Sequence, residues 1–124
     1  MLISFPMRAR LRIIEILRTK IKDQPIDNTD VIQGYDVLVK IKISAAEWER
    51  LKTKLPDGGW QVEDSTIQNA PKITRDLDGT LAKFLHTFLK NANCFGVDDR
   101  EWWPELAAQL TAEQPAAKKT ASIR

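Results

Sequence analysis

A two-residue rhythm governs the start of the chain. Ile3, Phe5, Met7, Ala9, Leu11 and Ile13 are apolar, and Ser4, Pro6, Arg8, Arg10 and Arg12 alternate between them. It returns where Val37, Val39, Ile41 and Ile43 are interleaved with Asp36, Leu38, Lys40 and Lys42. Side chains on a strand point alternately to opposite faces, so the pattern predicts a sheet with one apolar and one cationic face. A cationic sheet face suits a polyanion, and it is the sequence's main pointer to function.

The first segment, residues 2–22, exceeds the roughly 3–10 residues of an ordinary strand. Its phase also slips: Ile14 and Ile16 fall on the arginine side and Glu15 on the apolar side, before Leu17, Thr19 and Ile21 resume the original phase. A bulge near Ile13–Leu17 accounts for the slip, since one extra residue flips every later side chain. An amphipathic helix with Ile13, Ile14, Leu17 and Ile21 on one face is the competing reading, and the alternation favours strand.

Residues 23–34 are rich in turn formers and read as a loop. A second strand is expected from Tyr35 to Ile43. It runs into Ser44-Ala-Ala-Glu47, a capping box in which serine and glutamate satisfy each other's backbone amides. The helix that follows carries Trp48, Leu51 and Leu55 on one stripe and ends at Pro56-Asp-Gly-Gly59. Trp60 to Ile67 reads as a third strand with Trp60 and Val62 inward, broken by Asn69-Ala-Pro-Lys72.

The next helix presents Leu77, Leu81, Phe84, Leu85, Phe88 and Leu89 at helical spacing, a core-facing stripe. It stops in the segment from Asn91 to Gly96. A last helix begins near Trp103-Pro104, since proline suits the first helical position, and carries Leu106, Ala107 and Leu110. From Pro115 the basic tail has too little apolar content to pack and is expected to be disordered. The predicted organisation is one domain over 1–114 and a tail over 115–124. Its fold is α+β: about three strands, antiparallel or mixed, covered on one face by two to three helices, in the order β-β-α-β-α-α.

At 124 residues, 43% hydrophobic and 29% charged, the chain has an ordinary globular composition. A net charge of +2 is too small to mark a nucleic-acid binder by bulk balance. Its distribution carries more: from Arg8 to Lys22 there are six cations against one acid, Glu15. The single cysteine, Cys94, excludes an internal disulfide framework and a cysteine-rich zinc site. It reads as a small buried hydrophobe. No signal peptide is expected at the start, and no stretch nears the roughly 18–20 apolar residues of a membrane span, so the expected location is the cytoplasm.

Asp76-Leu-Asp-Gly-Thr-Leu81 resembles the first signature of the haloacid dehalogenase-like hydrolases, across six residues. The resemblance implies Asp76 as nucleophile, Asp78 as acid/base and a magnesium ion on a phosphate substrate. The flanking chain departs from that family. Pro71-Lys-Ile-Thr-Arg75 is not a buried hydrophobic strand, and only 43 residues follow Leu81, too few for the family's large domain. The reading carried forward is a helix N-terminus capped by Asp76 or Asp78. His86, the single histidine, sits at the edge of an apolar stripe and reads as a hydrogen-bonded boundary residue.

No catalytic constellation and no cofactor or metal motif emerges, so the expectation is a non-catalytic accessory or adaptor protein. Its polyanion-binding residues would be Arg8, Arg10, Arg12, Lys40 and Lys42, contacting nucleic-acid phosphates or an acidic protein. A second contact is expected at Trp102, Trp103 and Pro104, because two adjacent tryptophans cannot both face inward on a regular element. The alternative is an assembly subunit of a larger complex, or an oligomer, that touches no nucleic acid. A small phosphohydrolase using Asp76, Asp78 or His86 is the remote third.

Overall fold

The computed structural model describes residues 1–25, 27–92 and 96–112. Cys94 and the tail from Pro115 lie outside the described residues. The fold is α+β, with six α-helices and four short strands among the described residues. The strands form two separate antiparallel pairs in place of one three-stranded sheet.

Strand β1 (Leu2–Phe5) pairs with β4 (Ile73–Asp76) in the register Leu2↔Asp76 to Phe5↔Ile73. The free edge of β1 is closed by a side chain: the Ser4 amide donates to Gln109 Oε1 at 2.7 Å, and Gln109 Nε2 donates back to the Ser4 carbonyl at 3.2 Å. The Ser4 groups on the edge of the strand are thereby satisfied without a third strand. Alternation does hold here, with Ile3 and Phe5 buried, but only for these four residues.

At Pro6 the chain turns into helix α1 (Met7–Ile21), where a long first strand was expected. Its buried residues Ala9, Arg10, Ile13, Ile16, Leu17 and Ile21 recur at helical spacing. The alternation misleads because one inward position is an arginine. Arg10 is fully buried, and its guanidinium forms a two-pronged pair with the Glu47 carboxylate, its Nη2 lying 3.0 Å from Oε1. It also donates to the carbonyls of Ile41 at 3.1 Å and Lys42 at 2.7 Å. A partner 37 residues away converts a charged position into a core position.

The second expected strand is also a helix, α2 (Thr29–Ile41). The Asn28 side chain accepts from the Asp30 amide and starts it within the predicted loop. Gly34, read as a turn former, serves close packing instead. A Cβ there would stand 3.3 Å from Ile21 Cδ1 and 3.6 Å from Leu17 Cδ2, so glycine lets α1 and α2 meet. Arg10 then caps the carboxyl end of α2, where unpaired carbonyls favour a cation.

The Ser44 capping box forms as expected and opens α3 (Ala45–Leu51). This helix stops at Leu51, ahead of the expected end at Pro56. Lys52–Lys54 (β2) and Trp60–Val62 (β3) make a hairpin around a turn in which Gly58 takes φ +91°. Trp60 and Val62 are exposed, against the inward placement expected for them, because no helix covers this three-residue ribbon. Trp48, placed with Leu51 on the apolar stripe of α3, is exposed while Leu51 is buried. The supposed third strand ends at Val62, and α4 (Asp64–Asn69) follows.

Helix α5 (Gly79–Lys90) buries Leu81, Ala82, Leu85 and Leu89, as its spacing predicts. A short 3-10 turn (Val97–Glu101) leads into α6 (Trp103–Thr111), with Pro104 in its first turn. One apolar cluster runs from Ile3 and Phe5 through Ile13, Leu17, Val37 and Leu85 to Leu106 and Leu110. The order is therefore β-α-α-α-β-β-α-β-α-α, and the cationic sheet face does not form, because its residues lie on α1, on α2 and just beyond it.

Candidate functional site

The five cations assigned to one face are dispersed. Arg10 is sealed in the core. Arg12 donates to Asp99 at 3.1 Å and to Glu15 at 2.7 Å. Arg8 is paired with Asp64 and lies 3.9 Å from Glu101. Lys40 is half-buried on α2, and its own carbonyl accepts from Arg75 Nε at 2.9 Å. Lys42, the residue after α2, is exposed.

The tryptophan corner divides as adjacency requires. Trp102 is buried, and its indole N–H donates to Asp99 at 3.2 Å. Trp103 is half-buried and stacks on His86, ring centres 5.6 Å apart at 18°. Pro104 is exposed. What the corner offers to a partner is thus Pro104 and part of Trp103.

The two aspartates of the hydrolase-like segment have separate structural duties. Asp78 caps α5 by accepting from the Leu81 amide at 2.8 Å. Asp76 ends β4 and accepts from the Met1 amine at 2.7 Å, which holds its carboxyl below the usual aspartate value. The strand before them is a short, largely exposed member of a two-stranded pair. No group of three or more His, Cys, Asp or Glu among the described residues is placed to hold a metal ion. No helix among them is long and apolar enough to cross a membrane.

The electrostatic centre of the fold is the Arg10–Glu47 pair. The Arg10 guanidinium holds the Glu47 carboxyl down at about 2, against an ordinary value of 4.5; burial opposes the shift and the Ser44 amide adds to it. Glu47 thus joins the capping box of α3 to the interior of α1. Its partners Arg10 and Ser44 lie within the chain, which is what a structural pair requires.

The open chemistry lies on the outside of α2. Ile32, Tyr35 and Val39 are 50%, 54% and 68% exposed, and their i, i+3, i+7 spacing sets them along one ridge. Asp36 is exposed on the same side. Leu38, three residues beyond Tyr35, forms one wall of a cleft of about 580 Å³ between α1, α2 and α3. Ile14, Ile43 and Trp48 supply its apolar lining, and Arg18 and Lys42 its cations. Exposed apolar side chains set beside an apolar cleft are the kind of surface that contacts use, so this face is the candidate site.

The sequence reading missed Ile32 and Tyr35 altogether and counted Val39 among the inward strand residues. The available signal was that α2 is apolar around most of its circumference, which a helix with one buried side does not need. A larger groove of about 970 Å³ lies between α1, α2 and α5, with Phe84 and Phe88 in its lining and Lys20 and Lys83 among its polar groups. Searches against protein-family models, curated proteins and solved structures return no match.

Proposed function

We propose that the chain is a non-catalytic protein-binding module, an accessory or assembly subunit that works through the outer face of α2 and the adjoining cleft. The observation that carries this reading is the exposed ridge Ile32, Tyr35 and Val39, on a helix whose opposite side is fully used by the core. With half to two-thirds of each side chain exposed, burying the exposed part is worth about 1 kcal/mol or more apiece. A partner surface recovers that energy on association, so the ridge supplies affinity.

The test is capture from host lysate on tagged protein, with and without nuclease, at low and moderate salt. A discrete protein that survives both treatments and is lost with Tyr35→Lys or Val39→Lys is the expected result. Capture unaffected by both substitutions removes the reading.

A second reading keeps contact with a polyanion. It is favoured by the exposed Arg18 and Lys42 at the cleft, with Lys20 and Lys22 exposed at the end of α1. Of the original five cations only Lys42 serves it fully. Bound nucleic acid that disappears with salt is its signature, because phosphate contacts depend steeply on ionic strength.

A further inference from the structure

We infer that residues 52–70 form a strap that opens from α1 while the rest of the chain stays folded, with the Arg8–Asp64 ion pair as its latch.

The burial pattern separates this segment from the body. From Lys52 to Asp76 no residue is buried, whereas Leu51 before them and Leu77 after them are. Among the described residues, the apolar cluster takes in Ile73 on β4 but nothing from 52–70, although Leu55, Trp60, Val62 and Ile67 lie there. The segment can therefore move without opening the core.

Its own elements are too small to hold alone. The ribbon of β2 and β3 has three residues per strand, and α4 has six, with no side-chain cap and no buried residue. Isolated two-stranded ribbons and short helices are marginal in water. Both depend on docking, so detachment melts them.

The docking is thin. Clefts of about 590, 350 and 210 Å³ lie between α4 and the body, so the helix rests on points of contact in place of a packed face. Ile67 is the apolar point: it is half-buried and lines two of these clefts, facing Leu11 in one and Met7 in the other. Arg8, paired with Asp64, is the polar point. Among the described residues this is the ion pair that ties the middle of the strap to α1, since Lys52–Glu49 and Lys72–Glu105 sit at its two ends. Asp64 is 79% exposed, so water competes with the latch. Opening leaves Arg8 to Glu101, 3.9 Å away, and bares the face of α1 that carries Leu11. Regions with so few buried contacts open at free energies below that of complete unfolding.

Native-state hydrogen exchange on the full chain, read by NMR, tests this. The reporters are the amides of Leu55, bonded to Gly59 in the ribbon, and Ile67, bonded to Glu63 in α4. They should exchange about a hundredfold or more faster than the core amides of Ile13 and Leu89. Leu85→Ala should speed the core amides roughly thirtyfold or more and leave Leu55 and Ile67 at their wild-type rate, since the open state keeps its core. If Leu85→Ala does not fold, Ile13→Val makes the same comparison at about two- to tenfold. Ile67→Ala should speed Leu55, in the other element, about tenfold, and Arg8→Gln about two- to fivefold. Strap and core amides that accelerate together in the core variant overturn the inference, because the segment then opens only with the whole fold. Indifference of Leu55 to either Ile67→Ala or Arg8→Gln also overturns it, because the ribbon then does not share an opening with α4 and its latch.

Discussion

Helices α5 and α2 are of nearly equal length, 12 and 13 residues, yet their relation to the sequence is opposite. In α5 the large apolar residues occupy one arc, buried at Leu81, Leu85 and Leu89 and half-buried at Phe84 and Phe88, with Lys83, Thr87 and Lys90 exposed. Its period is plain. In α2 the inward residues Val31, Val37 and Ile41 share the helix with outward Ile32, Tyr35 and Val39. The run Val37, Val39, Ile41 mixes the two sets and imitates the alternation of a strand. A helix with a single apolar face declares itself, whereas one with two apolar faces is disguised, and its second face is surplus to the fold.

Helix α1 is disguised by the opposite device, a charge on its inward face, and this gives the largest expected effect. Arg10→Ala leaves Glu47 without its guanidinium and the carbonyls of Ile41 and Lys42 without their donor. Removing one partner of a buried pair costs about 3–5 kcal/mol. Arg10→Met combined with Glu47→Leu should regain about half, because apolar replacements relieve the stranded charge but not the backbone groups. Urea denaturation reads both. A loss below about 1 kcal/mol for Arg10→Ala would mean that the pair does not hold α1 in its register.

The contrast between α5 and α2 can be broken directly. Leu85 is fully buried, so Leu85→Ala should cost about 2–5 kcal/mol through lost transfer energy and a residual cavity. Val39→Ala should lie within about 0.5 kcal/mol of wild type. Equal penalties for the two would show that the outer face of α2 is held by contacts within the chain.

What could be read in advance follows the range of the interactions involved. The Ser44–Glu47 box, the Asp78 cap of α5, the α5 stripe and the start of α6 at Pro104 depend on residues within a turn or two, and all four stand. The elements misread depend on distant partners. Arg10 becomes a core residue through Glu47, Gly34 becomes a packing residue through Ile21, and β1 stays two-stranded because Gln109 closes its edge. The candidate surface shares this origin: Tyr35 and Val39 are identifiable as exposed only once α1 is known to occupy the other side of α2. Of the cations named from the alternation, Lys42 alone remains fully in solvent, since the helical period scattered a set that the strand period had aligned.

Acid separates the two kinds of helix by a smaller margin. The Glu47 carboxyl titrates at about 2 in the folded chain and near 4.5 when free of Arg10. Its folded value is depressed, so its contribution is complete above about pH 4.5 and is lost as pH falls toward about 2, where the unfolded state takes up a proton that the folded state refuses. After allowance for solvent around this partly accessible carboxylate, the contribution is on the order of 2 kcal/mol. Urea midpoints of wild type and Glu47→Gln across that window isolate it from the other carboxylates, and the gap between them should close as the solution is acidified. The Leu85→Ala deficit involves no proton and should stay constant over the same range. A Glu47→Gln gap that is equally flat from neutral pH down to pH 2 would mean that ionisation of this pair does not sustain the helix the sequence concealed.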